Sequence, residues 1–438
     1  MSVRFSKRNY LLLGILIGIA APMLSLLAEA AEPQNPVKAN LTVDYAFGVA
    51  WAMLLAAALL MMPLRRTDKK VLLNLWIARC AVTLGFMLIY EKLYRIDSYA
   101  YFGVSVQPAF DWGSVHFGRS TELVAGLMWL QNRLLPDSFH ALKVSFSLVG
   151  LAAVYLFYRA AVRFTGREDT RLLYILGLFP SILFWSSTLG KDPIALFGIA
   201  LYTYGVVSWQ RTRLMRYLLP LAAGVFIATA IRLWLAPILL IPLSVLVLLG
   251  IRGVLQRTAF ALLTSIAVFV AVRSFMHSFL IGSVDQLVHA ASVVSQLWAE
   301  GGSAQKYALQ FTGLPSLLAF LPRGIFAALF RPLPGEIMNP FGLLAGAENL
   351  LLLSLTCIAL LRFRWRSLRD PLVVWSIALM LSWSTFYAFI SYQNLGTASR
   401  FKLQILPMLL LLLLYLSSRR TAEAQQPVAA GITSPVQV

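Results

Sequence analysis

Apolar runs of about 20 residues, separated by short polar segments, extend along almost the whole chain. A run of that length crosses a bilayer as one α-helix, because a helix satisfies its own backbone hydrogen bonds in hydrocarbon. The pattern predicts an all-α, polytopic membrane protein with about 12 transmembrane helices. The first run, 10–27, precedes Ala28-Glu29-Ala30 and resembles a signal peptide, but its length favours an uncleaved first span.

The polar segments divide the chain into three parts. These are an N-terminal transmembrane hairpin at 1–70, a transmembrane core at 71–420, and a cytoplasmic tail at 421–438 that we expect to be disordered. Two long loops of the core, 91–140 and 276–342, are expected on the outer side. Within them we expect an interfacial helix near 121–135, capped by Ser120-Thr121, and a re-entrant or interfacial helix over 317–330.

Positive charge predicts the orientation of these helices. The 438 residues include 37 Lys and Arg against 18 Asp and Glu, which gives a formal net charge of +19. In a soluble protein that balance would suggest a nucleic-acid partner. Here only 13% of the residues are charged, and Lys and Arg cluster in short loops between spans, such as 65–70. The positive-inside rule therefore predicts that both termini are cytoplasmic, and we expect no nucleic-acid partner.

One stretch between two predicted spans carries charge at the edge of the membrane. An apolar helix over 172–188 is expected to break at Gly190, and Pro193 suits the first turn of the next helix. Lys191 and Asp192 would then occupy a tight turn at one membrane face. A charged pair at that depth indicates a functional site, although a solvated turn with a snorkelling Lys191 explains the same residues.

Other ionisable residues also lie near the outer ends of predicted spans. The set comprises two carboxylates, Asp97 and Asp192, and five cations, Lys191, Arg232, Arg323, Arg331 and Arg400. One carboxylate can act as a general base on an acceptor hydroxyl, and a second can assist it or hold a divalent metal ion. Arg and Lys bind phosphate groups. We predict that Asp97 and Asp192 are catalytic, or metal ligands if a metal is used, and that the cations bind substrate.

Simpler roles remain open for several of these residues. Asp97 can solvate or cap its loop, and Arg323 and Arg331 can snorkel to the membrane surface. The four histidines show no paired ligand spacing, and the two cysteines, both in apolar runs, give no disulfide framework.

The layout resembles the GT-C superfamily of membrane glycosyltransferases, which use polyprenyl-phosphate-linked sugar donors. In that family an early span leads to a long outer loop that opens with an acidic residue, as 71–90 leads to Asp97 here. A later outer turn bears a second acid that opens a helix, and Asp192 within 190–197 looks like the lipid A aminoarabinose and protein mannosyl transferase branch. The resemblance implies a polyprenyl-phosphate-sugar donor and a glycan or lipid acceptor. Tyr99 would then stack on a sugar face or anchor the loop.

Three short segments resemble membrane proteins of bacterial polysaccharide gene clusters: 117–121, 321–332 and 394–400. This resemblance implies synthesis of a cell-surface polysaccharide at the inner membrane. The chain departs from the GT-C pattern at Ser98, where some members carry a second acid after the residue matching Asp97.

Three functions are compatible with these patterns. The first is a GT-C-like glycosyltransferase with Asp97 as general base. The second is an O-antigen or exopolysaccharide polymerase, which joins diphosphate-linked oligosaccharides through arginines such as Arg323, Arg331 and Arg400. The third is a transporter or flippase, which would favour ionisable residues at mid-membrane and internal repeats; the chain shows charge mainly at span ends instead.

Overall fold

The structure is a computed structural model that describes residues 41–94, 96–251, 253–278, 283–299, 303–305 and 309–417. The predicted first span and the predicted disordered tail at 421–438 lie outside these residues. Within the described ranges the chain forms helices and no strand, apart from one isolated antiparallel bridge between Ala304 and Asn394. The all-α class is therefore confirmed.

The helices are numbered here in chain order. They are α1 (Leu41–Met61), α2 (Arg66–Leu93, with a π-helical turn at Ala81–Phe86), α3 (Ser98–Ser105), α4 (Ser120–Leu134), α5 (Phe139–Thr165), α6 (Thr170–Leu178), α7 (Pro180–Trp185), α8 (Lys191–Thr212), α9 (Leu218–Ile231), α10 (Leu235–Gly250), α11 (Val254–Ser278), α12 (Val284–Leu297), α13 (Leu314–Phe330), α14 (Pro340–Leu361), α15 (Pro371–Gln393), α16 (Leu395–Lys402) and α17 (Leu406–Ser417).

Five helices in the described part of the chain are long and apolar enough to cross a membrane: α1, α2, α5, α14 and α15. The pair α16 and α17, bent by 72° at its break, adds a sixth if it forms one broken span. Several apolar helices that the sequence predicted as spans are shorter, among them α9 and α10. The chain is thus a helical membrane protein, and the count of about 12 spans stays a prediction.

The predicted helix over 172–188 is not continuous. Its first part, α6, ends at Leu178, and a second helix, α7, runs only from Pro180 to Trp185. Phe179 separates them with a non-helical ψ of 120°, because proline disfavours the helical conformation of the residue before it. The apolar helix thus ends before Gly190, and Lys191 and Asp192 form the first turn of α8 rather than the connecting turn.

Two predicted outer loops contain helices. The loop over 276–342 includes α12, which begins where the Ser283 hydroxyl accepts a hydrogen bond from the Gln286 amide. The segment 394–400, which the sequence also predicts to be an outer loop between two spans, is mostly α16, and this helix begins where the Asn394 side chain accepts a hydrogen bond from the Thr397 amide. Both starts are ordinary N-caps. The predicted helix near 121–135 is present as α4, but its N-cap residue is Arg119 rather than Ser120 or Thr121.

Small residues allow α8 and α9 to pack at very short range. A Cβ atom on Gly198 would lie 2.7 Å from the Ala228 amide nitrogen, and one on Gly224 would collide with the backbone of Tyr202. Glycine removes this obstacle, as is common where helices approach closely in membranes. The contact brings the beginning of α8, which carries Asp192, close to the residue after α9, Arg232.

A buried arginine fixes the end of α7. The Arg79 guanidinium in α2 is fully buried and donates hydrogen bonds to the Ser186 carbonyl (3.1 Å) and hydroxyl (2.8 Å) and to the Ser187 hydroxyl (3.2 Å). Gly150 in α5 packs directly against the same Ser186 carbonyl, so there is no room for a Cβ atom at position 150. The segment that leads from α7 to Gly190 is therefore held by both α2 and α5.

Candidate functional site

Asp192 lies at the centre of the charged cluster. Gly190, with φ of 155°, adopts a conformation that favours glycine and directs the chain into α8, whose first turn contains Asp192. Asp192 is buried, and each of its carboxylate oxygens accepts a hydrogen bond from a different arginine. Arg232 donates Nη2–H to Oδ1 over 3.0 Å, and Arg400 donates Nε–H to Oδ2 over 2.6 Å.

Arg400 connects this buried carboxylate to the more exposed Asp97. Its Nη1 lies 3.6 Å from Asp97 Oδ2, and its guanidinium carbon lies 5.6 Å from the ring centre of Trp185. The side chain of Asp97 is 61% exposed, whereas that of Asp192 is 3% exposed. The two predicted acids therefore lie on the two sides of one guanidinium group, in different environments.

Lys191 borders the same cluster. Its ammonium group lies 3.1 Å from the Thr121 hydroxyl oxygen on α4 and 5.2 Å from the ring centre of Tyr101 on α3. Burial raises the pKa of Tyr101, and the nearby Asp97 charge raises it further, so this phenol stays neutral. Together with Arg232 and Arg400, Lys191 gives the cluster more cationic than anionic groups, which suits a phosphate.

Three predicted substrate-binding residues lie elsewhere. Arg323 and Arg331 both stack on Tyr392, with guanidinium carbons 5.2 and 5.4 Å from its ring centre. Arg331 also donates from Nε to Glu336 Oε1 over 2.7 Å. The Tyr99 hydroxyl donates a hydrogen bond to Glu91 Oε2 over 3.3 Å, and the Tyr99 ring stacks against Phe139. None of the three lines the cavity described below.

The residues around Glu336, the partner of Arg331, favour its charged form. Partial burial acts to raise the pKa of Glu336, but hydrogen bonds from the Arg331 side chain and the Leu333 amide outweigh it, so the pKa lies below its usual value. Glu336 therefore remains charged at neutral pH and holds Arg331. The Arg331 carbonyl in turn accepts a hydrogen bond from Lys402 over 3.1 Å.

A cavity of about 630 Å³ adjoins Arg400. Its walls come from α2, α7, the beginning of α14 and the segment 394–400. Six aromatic side chains line the cavity: Phe86, Tyr90, Tyr94, Phe184, Trp185 and Phe341. Its volume is within the range of pockets that bind small ligands, and its largely apolar lining with a few polar groups is typical of them.

Two charged residues of opposite sign line this cavity, Arg400 and Glu348. Glu348 was missed by the sequence analysis because it lies within an apolar run that reads as a single span. Ser181 on α7 donates two hydrogen bonds to the Glu348 side chain. Its backbone N–H donates to Oε1 over 2.7 Å, and its hydroxyl donates to Oε2. The signal that could have identified Glu348 is the presence of an acidic residue inside a predicted transmembrane run.

Two further pairs of buried ionisable residues lie outside the cavity. The Asp44 and His140 side chains meet at 2.7 Å, and Lys143 and Glu91 also meet at 2.7 Å. These four residues join α1, α2 and α5, the helices that support one side of the site. Paired charges of this kind are what allow ionisable residues to be buried.

The carboxylates do not form a divalent-metal site as they are arranged. Both oxygens of Asp192 are bound to guanidinium groups, which would repel a cation there. Among the described residues, no group of three or more His, Cys, Asp or Glu side chains could hold a metal ion.

Comparison with known proteins yields no relative. The chain matches no protein-family model, no curated protein and no solved structure.

Proposed function

We propose that this protein transfers a sugar from a polyprenyl-phosphate donor to a glycan or lipid acceptor at the membrane. The observation that carries the proposal is the position of Arg400, which lies between Asp97 and Asp192 and borders an aromatic cavity. The apolar walls suit part of a lipid-linked substrate, and the guanidinium suits its phosphate. We also propose that the reaction takes place at the outer face of the bacterial inner membrane and serves polysaccharide synthesis.

The two acids have different roles in this proposal. Asp192 cannot readily accept a proton, since both its oxygens are bound to guanidinium groups, and we assign it to orienting Arg400 and Arg232. Asp97 is exposed enough to meet an acceptor hydroxyl and takes its proton as general base. The acceptor oxygen then forms a bond to the sugar anomeric carbon, and the bond from that carbon to the phosphate oxygen breaks. Arg400 and Lys191 stabilise the departing phosphate.

A polymerase that uses diphosphate-linked oligosaccharides is the second candidate. One observation favours it: the cavity is lined by Arg400 but not by Asp97. In such an enzyme the arginine acts on the diphosphate leaving group and no acidic base is required. A transporter or flippase finds less support, since the most buried acid of the cluster, Asp192, is held by two arginines rather than free to release a proton.

Lipid binding tests the proposal directly. The protein in nanodiscs is titrated with undecaprenyl phosphate and with undecaprenol, which lacks the phosphate. We expect the wild type to bind the phosphate more tightly, and Arg400→Ala to weaken that binding about tenfold or more while leaving undecaprenol binding unchanged. Arg400→Lys keeps a charge beside Asp192 but lacks the planar fork, so an intermediate loss is expected.

Arg364→Ala serves as the matched control, because Arg364 is an exposed arginine outside the cavity. Its affinity for undecaprenyl phosphate should equal that of the wild type. Equal binding of undecaprenyl phosphate and undecaprenol by the wild type would contradict the proposal.

A further inference from the structure

Glu348 is a buried carboxylate that the reaction proposed above does not use. It is 7% exposed, lies on α14 and lines the cavity together with Arg400. A lone carboxylate in a membrane protein is costly to bury, so its neighbours must compensate it. Ser181 provides two hydrogen bonds from the α7 side of the cavity.

A buried lysine contacts the residue that follows Glu348 in α14. Lys402 is 2% exposed and donates to the side-chain oxygen of Asn349, the residue after Glu348, over 2.6 Å. It also donates to the Arg331 carbonyl. Ser181 and Lys402 thus hold the part of α14 that carries Glu348 against α7 and α16.

The hydrogen bonds from Ser181 do not exhaust the capacity of this carboxylate. Each carboxylate oxygen has two lone pairs, and the structure provides one donor to each, Ser181 N to Oε1 and Ser181 Oγ to Oε2. Acceptor capacity therefore remains at the cavity. A ligand that donates hydroxyl groups satisfies it, whereas an ionised phosphate has no hydrogen-bond donor to offer. Arg400 offers the opposite preference on another wall of the same cavity.

The aromatic lining adds a further requirement for the ligand. Tyr90 contacts both Phe184 and Phe341 edge to face, with ring centres 5.0 and 5.4 Å apart, so the three rings form a continuous wall. A ring that carries C–H groups on its faces and hydroxyl groups on its edge suits a wall of this kind beside a carboxylate. A saccharide has both features, and a bare lipid tail has only the first.

We propose that Glu348, positioned by Ser181, binds hydroxyl groups of the donor's sugar and determines which sugar is accepted. This inference rests on the proposed function, and it makes the cavity a single site for a sugar and its phosphate, with Glu348 at one end and Arg400 at the other. Glu348 is a specificity-determining residue in this arrangement, not the general base.

The test compares bare undecaprenyl phosphate with a panel of undecaprenyl-phosphate hexoses and aminosugars, titrated against the protein in nanodiscs. We expect the wild type to bind at least one sugar-bearing donor more tightly than undecaprenyl phosphate. Glu348→Gln, which keeps the shape and removes the charge, should reduce that gain about tenfold and change the affinity for bare undecaprenyl phosphate less than twofold. Ser181→Ala should reduce the same gain by a smaller factor.

A matched control separates a local effect from a general one. Glu168→Gln replaces an exposed glutamate that pairs with Arg65 outside the cavity, and it should bind every donor as the wild type does. Thermal unfolding of each variant checks that the fold is retained, and Ser181→Ala, which leaves the Glu348 charge in place, remains informative if Glu348→Gln does not fold.

The outcomes distinguish this inference from the function on which it rests. If Glu348→Gln and Ser181→Ala keep the full gain, or if bare undecaprenyl phosphate weakens equally, the inference is wrong while the lipid-phosphate proposal stands. The inference is also wrong if the wild type binds bare undecaprenyl phosphate as tightly as every sugar-bearing donor. If the wild type binds neither class of lipid, both proposals are wrong.

Discussion

Arg400 and Asp192 form the shortest of the ion pairs in the cluster, with Arg400 Nε 2.6 Å from Asp192 Oδ2. These residues are 208 positions apart in the chain, and they meet because α16 and the first turn of α8 come together. This pairing engages Nε of Arg400, and Nη1 of the same guanidinium group lies 3.6 Å from Asp97 Oδ2. The geometry thus makes Asp192 a positioning residue for Arg400.

Asp192→Asn tests that role. The substitution keeps the shape and leaves Arg232 and Arg400 without their buried partner, and removing one partner of a buried ion pair costs about 3–5 kcal/mol. We expect a clear drop in the thermal unfolding temperature, with weaker binding of undecaprenyl phosphate because Arg400 is no longer oriented. Differential scanning fluorimetry and lipid titration measure the two effects.

The corresponding control is Asp285→Asn, which replaces an exposed aspartate in the first turn of α12. It should unfold within a degree or two of the wild type. An unfolding temperature for Asp192→Asn equal to that of the control would show that the buried pair contributes little.

The close approach of α8 and α9 gives a second prediction. Gly224→Ala introduces a methyl group that collides with the backbone of Tyr202, and overpacking of this kind costs about 1–3 kcal/mol. Since the contact also sets the distance between Asp192 and Arg232, we expect lower thermal stability together with weaker lipid binding. Gly250→Ala is the matched control, because a Cβ at Gly250 meets nothing within 4 Å. Equal stability of the two variants would contradict the account of this interface.

The membrane orientation predicted from charge can be tested by cysteine labelling. On a background with Cys80 and Cys357 replaced, we introduce single cysteines at the exposed positions Gln107 and Arg366. A membrane-impermeant maleimide added to intact cells should label position 107, and position 366 should react only after the membrane is permeabilised. The reverse pattern would invert the scheme and place Asp97 on the cytoplasmic side.

The charged cluster was partly predictable from the sequence, whereas its pairings were not. Asp97, Asp192, Arg232 and Arg400 stand out because they interrupt apolar runs near span ends, where charge is costly. The partner of each depends on which helices pack together, and that follows from details such as the space above Gly224. Patterns of hydrophobicity do not encode such contacts.

Other features were hidden by the same patterns. Arg331 resembles Arg400 in sequence context, but Glu336 and Tyr392 hold it outside the cavity. Glu348 was read as part of a span because its neighbours are apolar, although its two hydrogen bonds to Ser181 make it a buried polar site. The break before Pro180 was the easiest feature to miss, since the whole stretch is apolar.

The catalytic role of Asp97 is the prediction that best separates the two enzyme hypotheses. A general base contributes typically 10²–10⁴-fold to the rate. Asp97→Asn keeps the shape, removes the basicity and, because Asp97 is exposed, should leave the fold intact. We expect turnover with an undecaprenyl-phosphate sugar donor to fall by about that factor, with little change in donor affinity, since Arg400 retains Asp192 as its main partner. Turnover and donor titration on the same nanodisc sample measure both quantities.

Asp137→Asn, another acid of the same predicted outer loop, is the control and should keep wild-type turnover. Turnover of the wild type after treatment with EDTA tests the metal separately, and we expect no loss, because the oxygens of Asp192 are already bound to arginines. If Asp97→Asn retains near-normal turnover while Arg400→Ala is inactive, the acid-base mechanism is wrong. The reaction would then depend on Arg400 acting on the phosphate, as expected of a polymerase that joins diphosphate-linked oligosaccharides.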